Sequence, residues 1–403
     1  MQKEIKPAKR LEGINEYYFS SKLREVAMLN AQGKDIISLA IGSPDLMPRA
    51  EVVETLCKEA AQKTAHGYQP NIGRKELRSA FAAWYKEWYG VELDPDREIL
   101  PLIGSKEGVM HVSMTFLNPG DAVLLPNPGY PTYRAVCKLL QAEVLEYELD
   151  EQNGWQPDFE ALEKMDLSRV KLMWVNYPHM PTGAPAQKST FEKLVDFGRR
   201  HGIVVCNDNP YSFILNNHPL SILSVPGAKD CCLELNSLSK SHNMPGWRIG
   251  MLAGNPEFVS WVVRLKSNVD SGQFLPMQLA AVKALQSERS WYKELNRRYS
   301  SRRVLIEELM CSLHCTFDAG QEGIFLWGRI PDDYTDAAEL CDELLYKARV
   351  FVAPGFIFGS KGNRYIRISL CSPEEQIREA RRRVCNYLHK QKCSSAGKPV
   401  LTS

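Results

Sequence analysis

Between about residue 100 and residue 255, short apolar runs alternate with helix-spaced patterns. Val123-Leu124-Leu125, Leu172-Met173-Trp174-Val175 and Ile203-Val204-Val205-Cys206 are unbroken apolar stretches of strand length. Such runs mark strands covered on both faces. Helical segments lie between them. One is predicted to begin near Ser189, where Glu192 completes a capping box ahead of Leu194, Val195 and Gly198. This alternation predicts the α/β class, with a mostly parallel sheet flanked by helices. After about residue 285 the pattern changes. Stretches rich in Arg, Glu and Leu surround a few strands, Tyr365 to Leu370 among them, which predicts a smaller α+β domain. The expected division is an N-terminal arm and part of the small domain over 1–45, a large domain over 46–284, the small domain over 285–391 and a flexible polar tail over 392–403.

Composition narrows the function classes. The 403 residues carry 50 Lys and Arg against 48 Asp and Glu, which leaves no electrostatic footprint for nucleic acid or an anionic membrane. No apolar stretch is long enough to span a bilayer. The charged opening Met1-Gln2-Lys3-Glu4-Ile5-Lys6 lacks the apolar centre of a secretory signal, so a cytoplasmic protein is expected. The 11 cysteines are scattered without zinc-ligand spacing, and we expect free thiols and no metal.

In open parallel sheets, ligands bind beyond the carboxyl ends of the strands. Three such ends are chemically loaded: Gly104-Ser105-Lys106-Glu107-Gly108, Asn207-Asp208-Asn209-Pro210-Tyr211, and Asn236-Ser237-Leu238-Ser239-Lys240 with Arg248 following. Taken singly, each has an ordinary reading. An Asp after a strand is usually a cap, a Lys a solvated charge, and a Gly-Ser turn a helix start. Ser237 to Lys240 also fits the Ser-x-x-Lys of penicillin-binding enzymes, but the Ser-Asp-Asn and Lys-Thr-Gly those enzymes need are absent. There is no Gly-x-Ser-x-Gly and no phosphate-binding Gly-x-x-x-x-Gly-Lys-[Ser/Thr].

The segment from Ser237 through Lys240, Ser241-His242-Asn243-Met244-Pro245-Gly246-Trp247 and Arg248 to Gly250 resembles the Schiff-base lysine segment of class I aminotransferases of pyridoxal 5′-phosphate (PLP) fold type I. The likeness runs along nearly the whole chain. It takes in Gly42-Ser43-Pro44-Asp45, Gly67-Tyr68-Gln69-Pro70, Asn127-Pro128-Gly129-Tyr130-Pro131-Thr132-Tyr133, Pro181-Thr182-Gly183, Pro354-Gly355 and Tyr365-Ile366-Arg367-Ile368-Ser369. Within the class, Ile103 to Gly108 and the Tyr17-Tyr18-Phe19 arm resemble the LL-diaminopimelate aminotransferase branch.

That resemblance implies a seven-stranded-type sheet, PLP as cofactor and a ping-pong exchange between an L-amino acid and a 2-oxo acid. It implies that Lys240 forms the Schiff base and moves the Cα proton, aided by a lowered pKa to which Arg248 contributes. Asp208 would hold the ring nitrogen, Tyr211 the phenolic oxygen and Tyr130 the ring face, with Asn176 also at the cofactor. Ser105, Lys106, Ser237 and Arg248 would hold the phosphate. Tyr68 would reach it from a second subunit, so a homodimer with shared sites is expected. Arg367 and the close-approaching Gly42 would take the substrate carboxylate.

One position departs from the pattern. Where the family reads Asn-x-Pro-x-Asn-Pro-Thr-Gly, this chain reads Asn176-Tyr177-Pro178-His179-Met180-Pro181-Thr182-Gly183. Methionine cannot donate the hydrogen bond that Asn gives the phenolic oxygen. The alternatives to amino transfer are a C–S β-lyase or decarboxylase of the same fold, which would share Lys240, Asp208 and Arg367, and, because of Met180, a catalytically silent PLP-binding protein. A DNA-binding regulator of this fold needs an N-terminal domain, and the chain reaches Gly42 too soon for one. Which amino acid and 2-oxo acid are used is not written in the motifs, because a side-chain pocket gathers residues from distant segments.

Overall fold

The computed structural model describes residues 5–14, 16 and 18–396. Tyr17 of the expected arm and residues 397–403 of the expected tail lie outside the described residues.

The large domain is built on seven strands. Across the sheet they run Ile99–Leu102, Gly250–Gly254, Cys232–Ser237, Val204–Asp208, Val170–Val175, Ala122–Asn127 and Glu143–Glu148. Gly250–Gly254 is antiparallel to both neighbours, and the other neighbouring pairs are parallel. The apolar runs have a plain physical cause. Successive side chains on a strand point to opposite faces. Val123, Leu125, Leu172, Trp174 and Cys206 enter one core, while Leu124, Met173, Val175 and Val205 enter the other. With a core on each face, both alternate sets must be apolar.

The small domain carries a three-stranded antiparallel sheet, in the order Ala353–Pro354, Tyr365–Ser369, Phe325–Arg329. Helix Arg289–Ser312 buries Tyr292, Leu295, Tyr299, Arg302, Leu305, Ile306 and Leu309, a stripe at helical spacing. The N-terminal segment is tied to this domain by a parallel pair, Ile37–Ser38 with Val350–Phe351. It is tied again by Arg302, whose two guanidinium nitrogens reach Asp45 at 2.6 and 2.8 Å.

Two local expectations need correction. The helix expected from Ser189 spans Lys188–His201 with Gln187 at its cap, and no side chain caps it. Glu192 instead faces Lys188 at 3.6 Å, so an ion pair replaces the capping box. The final helix, Glu374–Ala396, continues past residue 392, where the tail was expected to begin. Among the described residues no helix is long and apolar enough to cross a membrane.

Candidate active site

The parallel strands end on one edge of the sheet, and there a cavity of about 500 Å³ opens against the small domain and the helix Tyr18–Ala31. Gly42, Ser105, Lys106, Tyr130, Asn176, Asp208, Tyr211, Ser237, Lys240, Arg248 and Arg367 all line it, as does Met180. Residues scattered over more than three hundred positions thus meet in one place. Tyr68 does not. It is 95% exposed and lines no part of this cavity.

Asp208 is the last residue of its strand and is buried. Its Oδ2 accepts from the Tyr133 hydroxyl at 2.9 Å, and its Oδ1 has no hydrogen-bond partner among the described residues. Burial pushes its carboxyl up to about 6, with the Tyr133 bond working the other way. Tyr133 is stacked on Trp174 at 5.0 Å between centroids, which fixes where its hydroxyl points. The sequence motifs give Tyr133 no role of its own. Its signal was available: Tyr130 caps helix Pro131–Leu139, and Tyr133 follows one turn on.

Lys240 lies in the short helix Leu238–Ser241, and its Nζ donates to the Gly42 carbonyl. Burial lowers its pKa most. Cys371 opposes that, Arg367 and Arg248 add to it, and Asp208 opposes. Gly42 lies where a Cβ would come within 2.2 Å of the Phe325 ring, so only glycine lets this segment pass.

Helix Ser105–Phe116 starts beside Arg248. Arg248 has a left-handed backbone, φ +56°, and its Nη1 donates to the Pro245 carbonyl at 2.9 Å. A Cβ on Gly104 would meet its Nη2 at 2.1 Å. Glycine there therefore leaves room for a guanidinium at a helix N-terminus, an anion-binding arrangement. Burial and then Arg248 lower the pKa of Lys106. The Ser237 hydroxyl caps the Lys240 helix, accepting from Ser239 N at 3.1 Å.

Arg367, on strand Tyr365–Ser369, is buried. Its Nη2 donates to the Ala40 carbonyl at 2.9 Å, and its Nη1 lies 3.2 Å from the Met180 sulfur. Its guanidinium carbon stands 3.7 Å from the Phe325 ring centre and 4.5 Å from that of Phe358. Asn176 works as a brace. Its amide donates to the Asp208 carbonyl and accepts from Met180 N at 2.7 Å. His179 does not line the cavity; its Nδ1 meets the Thr182 hydroxyl at 2.8 Å, and burial holds its pKa down to about 3. Burial pushes the Tyr211 phenol up, so it is a neutral donor.

These residues fit PLP. The orphaned carboxylate oxygen of Asp208 suits a protonated ring nitrogen. The cradle of Gly104, Ser105, Lys106 and Arg248 suits a phosphate.

Comparison with known proteins agrees. A family model described as aminotransferase class I and II matches residues 34–384. An LL-diaminopimelate aminotransferase of Dehalococcoides mccartyi is 40% identical over 385 residues, covering 95% of this chain and 99% of that protein. One from Aquifex aeolicus is 38% identical, covering 94% and 98%. Among solved structures, apo-BacF from Bacillus subtilis superposes with a TM-score of 0.91 at 35% identity, covering 95% of this chain and 98% of that one.

Proposed function

Because the chain belongs to the class I and II aminotransferases and transfers amino groups with pyridoxal 5′-phosphate, we propose that its donor is an L-amino acid with an apolar side chain, bound through its carboxylate to Arg367. The observation that carries the donor class is the lining of the cavity. Besides the groups set at the cofactor and the substrate carboxylate, and Ser20 and Pro210, the lining away from the phosphate cradle is Phe19, Leu23, Ile41, Met180, Phe325 and Phe358.

The relatives' name, LL-diaminopimelate aminotransferase, raises LL-diaminopimelate as the substrate. That molecule ends in a second ammonium and a second carboxylate, which need an anion and a cation of their own once desolvated. Among the described residues lining the cavity, Asp208 is the only carboxylate, and the ring nitrogen takes it. An apolar side chain gains by burial there, at roughly 25 cal/mol per Å².

Asp208 would hold the ring nitrogen, Tyr211 the phenolic oxygen, Tyr130 the ring face, with Asn176 at the cofactor, and Ser105, Lys106, Ser237 and Arg248 the phosphate. When bound, PLP supplies the electron sink that makes the Cα proton removable. Arg367 and the Gly42 segment orient the substrate so that its Cα–H faces Lys240. Lys240 Nζ then takes that proton; its lowered pKa keeps the neutral amine within reach. Arg367 can grip without wandering because Ala40 and the Phe325 face hold its guanidinium. Transferase relatives favour this chemistry over β-lysis or decarboxylation.

The test is exchange of the Cα deuterium of an apolar amino acid. Lys240→Ala is expected to lose exchange by at least about a thousandfold while still binding the amino acid. Undiminished exchange in that variant would remove Lys240 from the proton path.

A further inference from the structure

Glu234 lies in the middle of strand Cys232–Ser237 with no exposed surface. Among the described residues it forms no ion pair within salt-bridge distance, yet its carboxyl group receives four hydrogen bonds. Tyr85 and Ser221 hydroxyls reach Oε1 at 2.9 and 2.7 Å. Asn207 Nδ2 and Ile222 N reach Oε2 at 2.9 and 3.1 Å.

The surroundings fix the two nitrogen donors and favour donation by the two hydroxyls. Asn207 Oδ1 accepts from Tyr177 N, so its amide nitrogen must face Glu234. The Ser221 hydroxyl accepts from Leu223 N, and its own proton goes to Glu234. Asn236 Oδ1 accepts from Ser237 N, so Asn236 Nδ2 points to the Tyr85 oxygen, and the Tyr85 proton also goes to Glu234. Asn207 Nδ2 and Ile222 N can only donate to Oε2, and with the Ser221 and Tyr85 hydroxyls donating to Oε1 the arrangement favours the carboxylate. Burial is the largest influence and holds the carboxyl above the usual carboxylate range, while the bonds from Ser221, Asn207, Ile222 and Tyr85 each work the other way.

The fold puts this charge behind the cofactor site. Asn207 is the register partner of Glu234, and Asp208 is the next residue. Alternation sets Glu234 and Asn207 on the sheet face of Val205 and Tyr85, and Asp208 on the face of Cys206 and Tyr133. The other titratable groups that feel Glu234 are Tyr85, Tyr89, Cys206 and Cys232, which burial keeps neutral, except that the Cys232 thiol is held up first by its bond to Cys231.

We propose that Glu234 is a positioning residue for the cofactor: its buried negative charge, one strand away from Asp208, holds the proton on the pair formed by Asp208 and the ring nitrogen. A second anion beside that pair raises the free energy of taking the proton away. This rests on Asp208 pairing with the ring nitrogen.

The experiment follows the protonation of isotopically labelled ring nitrogen by NMR in the full-length holoenzyme as pH is raised. Glu234→Gln is expected to let the proton leave about one pH unit earlier. Glu234→Gln combined with Asn207→Asp, which moves the carboxylate across the strand pair, is expected to restore the wild-type midpoint. An unchanged midpoint in Glu234→Gln, or failure of the swapped pair to restore it, overturns the proposal. Asp208→Asn is the control for the underlying reading. If it leaves the ring nitrogen unaffected, that reading fails; if it alone shifts the midpoint, only the role of Glu234 fails. Should Glu234→Gln not fold, the carboxyl carbon of Glu234 in the wild-type holoenzyme decides, since a protonated signal at neutral pH overturns the proposal.

Discussion

Met180 presents a thioether where the family motif has a carboxamide, and it lies against Arg367. A sulfur can receive from that guanidinium but gives nothing to the cofactor's phenolic oxygen. Losing one bond to a charged oxygen costs about 1.5–3 kcal/mol, or one to two pH units. Met180→Asn is therefore expected to lower the midpoint of the bound cofactor's absorbance titration by that amount. A midpoint that stays in place would show that Tyr211 alone sets it. Asp208 makes a second prediction. Its carboxyl is raised to about 6 in the protein without cofactor, against about 3.9 in an unfolded chain. Its ionisation therefore opposes folding. The penalty is absent below about pH 4, grows through the interval and is full above about pH 6. Apoprotein Asp208→Asn should be more stable than wild type at neutral pH by about 3 kcal/mol, with the gap closing below pH 4. Denaturant melts across that range check it. A variant less stable at neutral pH contradicts the account.

At the scale of elements, what the chain made legible followed from periodicity. Val123 to Leu125, Leu172 to Val175 and Val204 to Cys206 had to be doubly covered strands, because no polar position breaks their alternation. The three loaded strand ends were readable for the same reason, since a parallel sheet puts its carboxyl ends together. Helix starts were less so. Ser189 and Glu192 have capping chemistry, but Lys188 is already helical, and the pair with Glu192 serves the same turn. The brace role of Asn176 and the support of Asp208 by Tyr133 were hidden too. Both depend on which face of a strand or helix meets which neighbour across dozens of residues. Arg302 with Asp45 belongs here as well: an arginine among many on a basic helix gives no sign that it will be buried against the segment carrying Gly42.

At the scale of the molecule, Tyr68 is the expected site residue that this chain's own fold leaves outside the cavity. It is 95% exposed, while its neighbour Gln69 is bridged to Gly272. A bare tyrosine facing solvent gains nothing by itself, and the resemblance gives it a place over a partner's phosphate. Sedimentation should find a dimer, and Tyr68→Phe should weaken PLP binding without dissociating it. A monomer that binds PLP as tightly as the wild type would contradict the shared site. The donor class follows from how the helix Tyr18–Ala31, the small domain and the sheet edge close one cavity. The direct measurement is the absorbance of the PLP-loaded protein during titration with single amino acids, without any acceptor. Conversion of the cofactor to its amine form by phenylalanine, leucine or methionine, at much lower concentration than by LL-diaminopimelate, glutamate or aspartate, is the predicted result. Conversion by LL-diaminopimelate in preference to every apolar amino acid would contradict it.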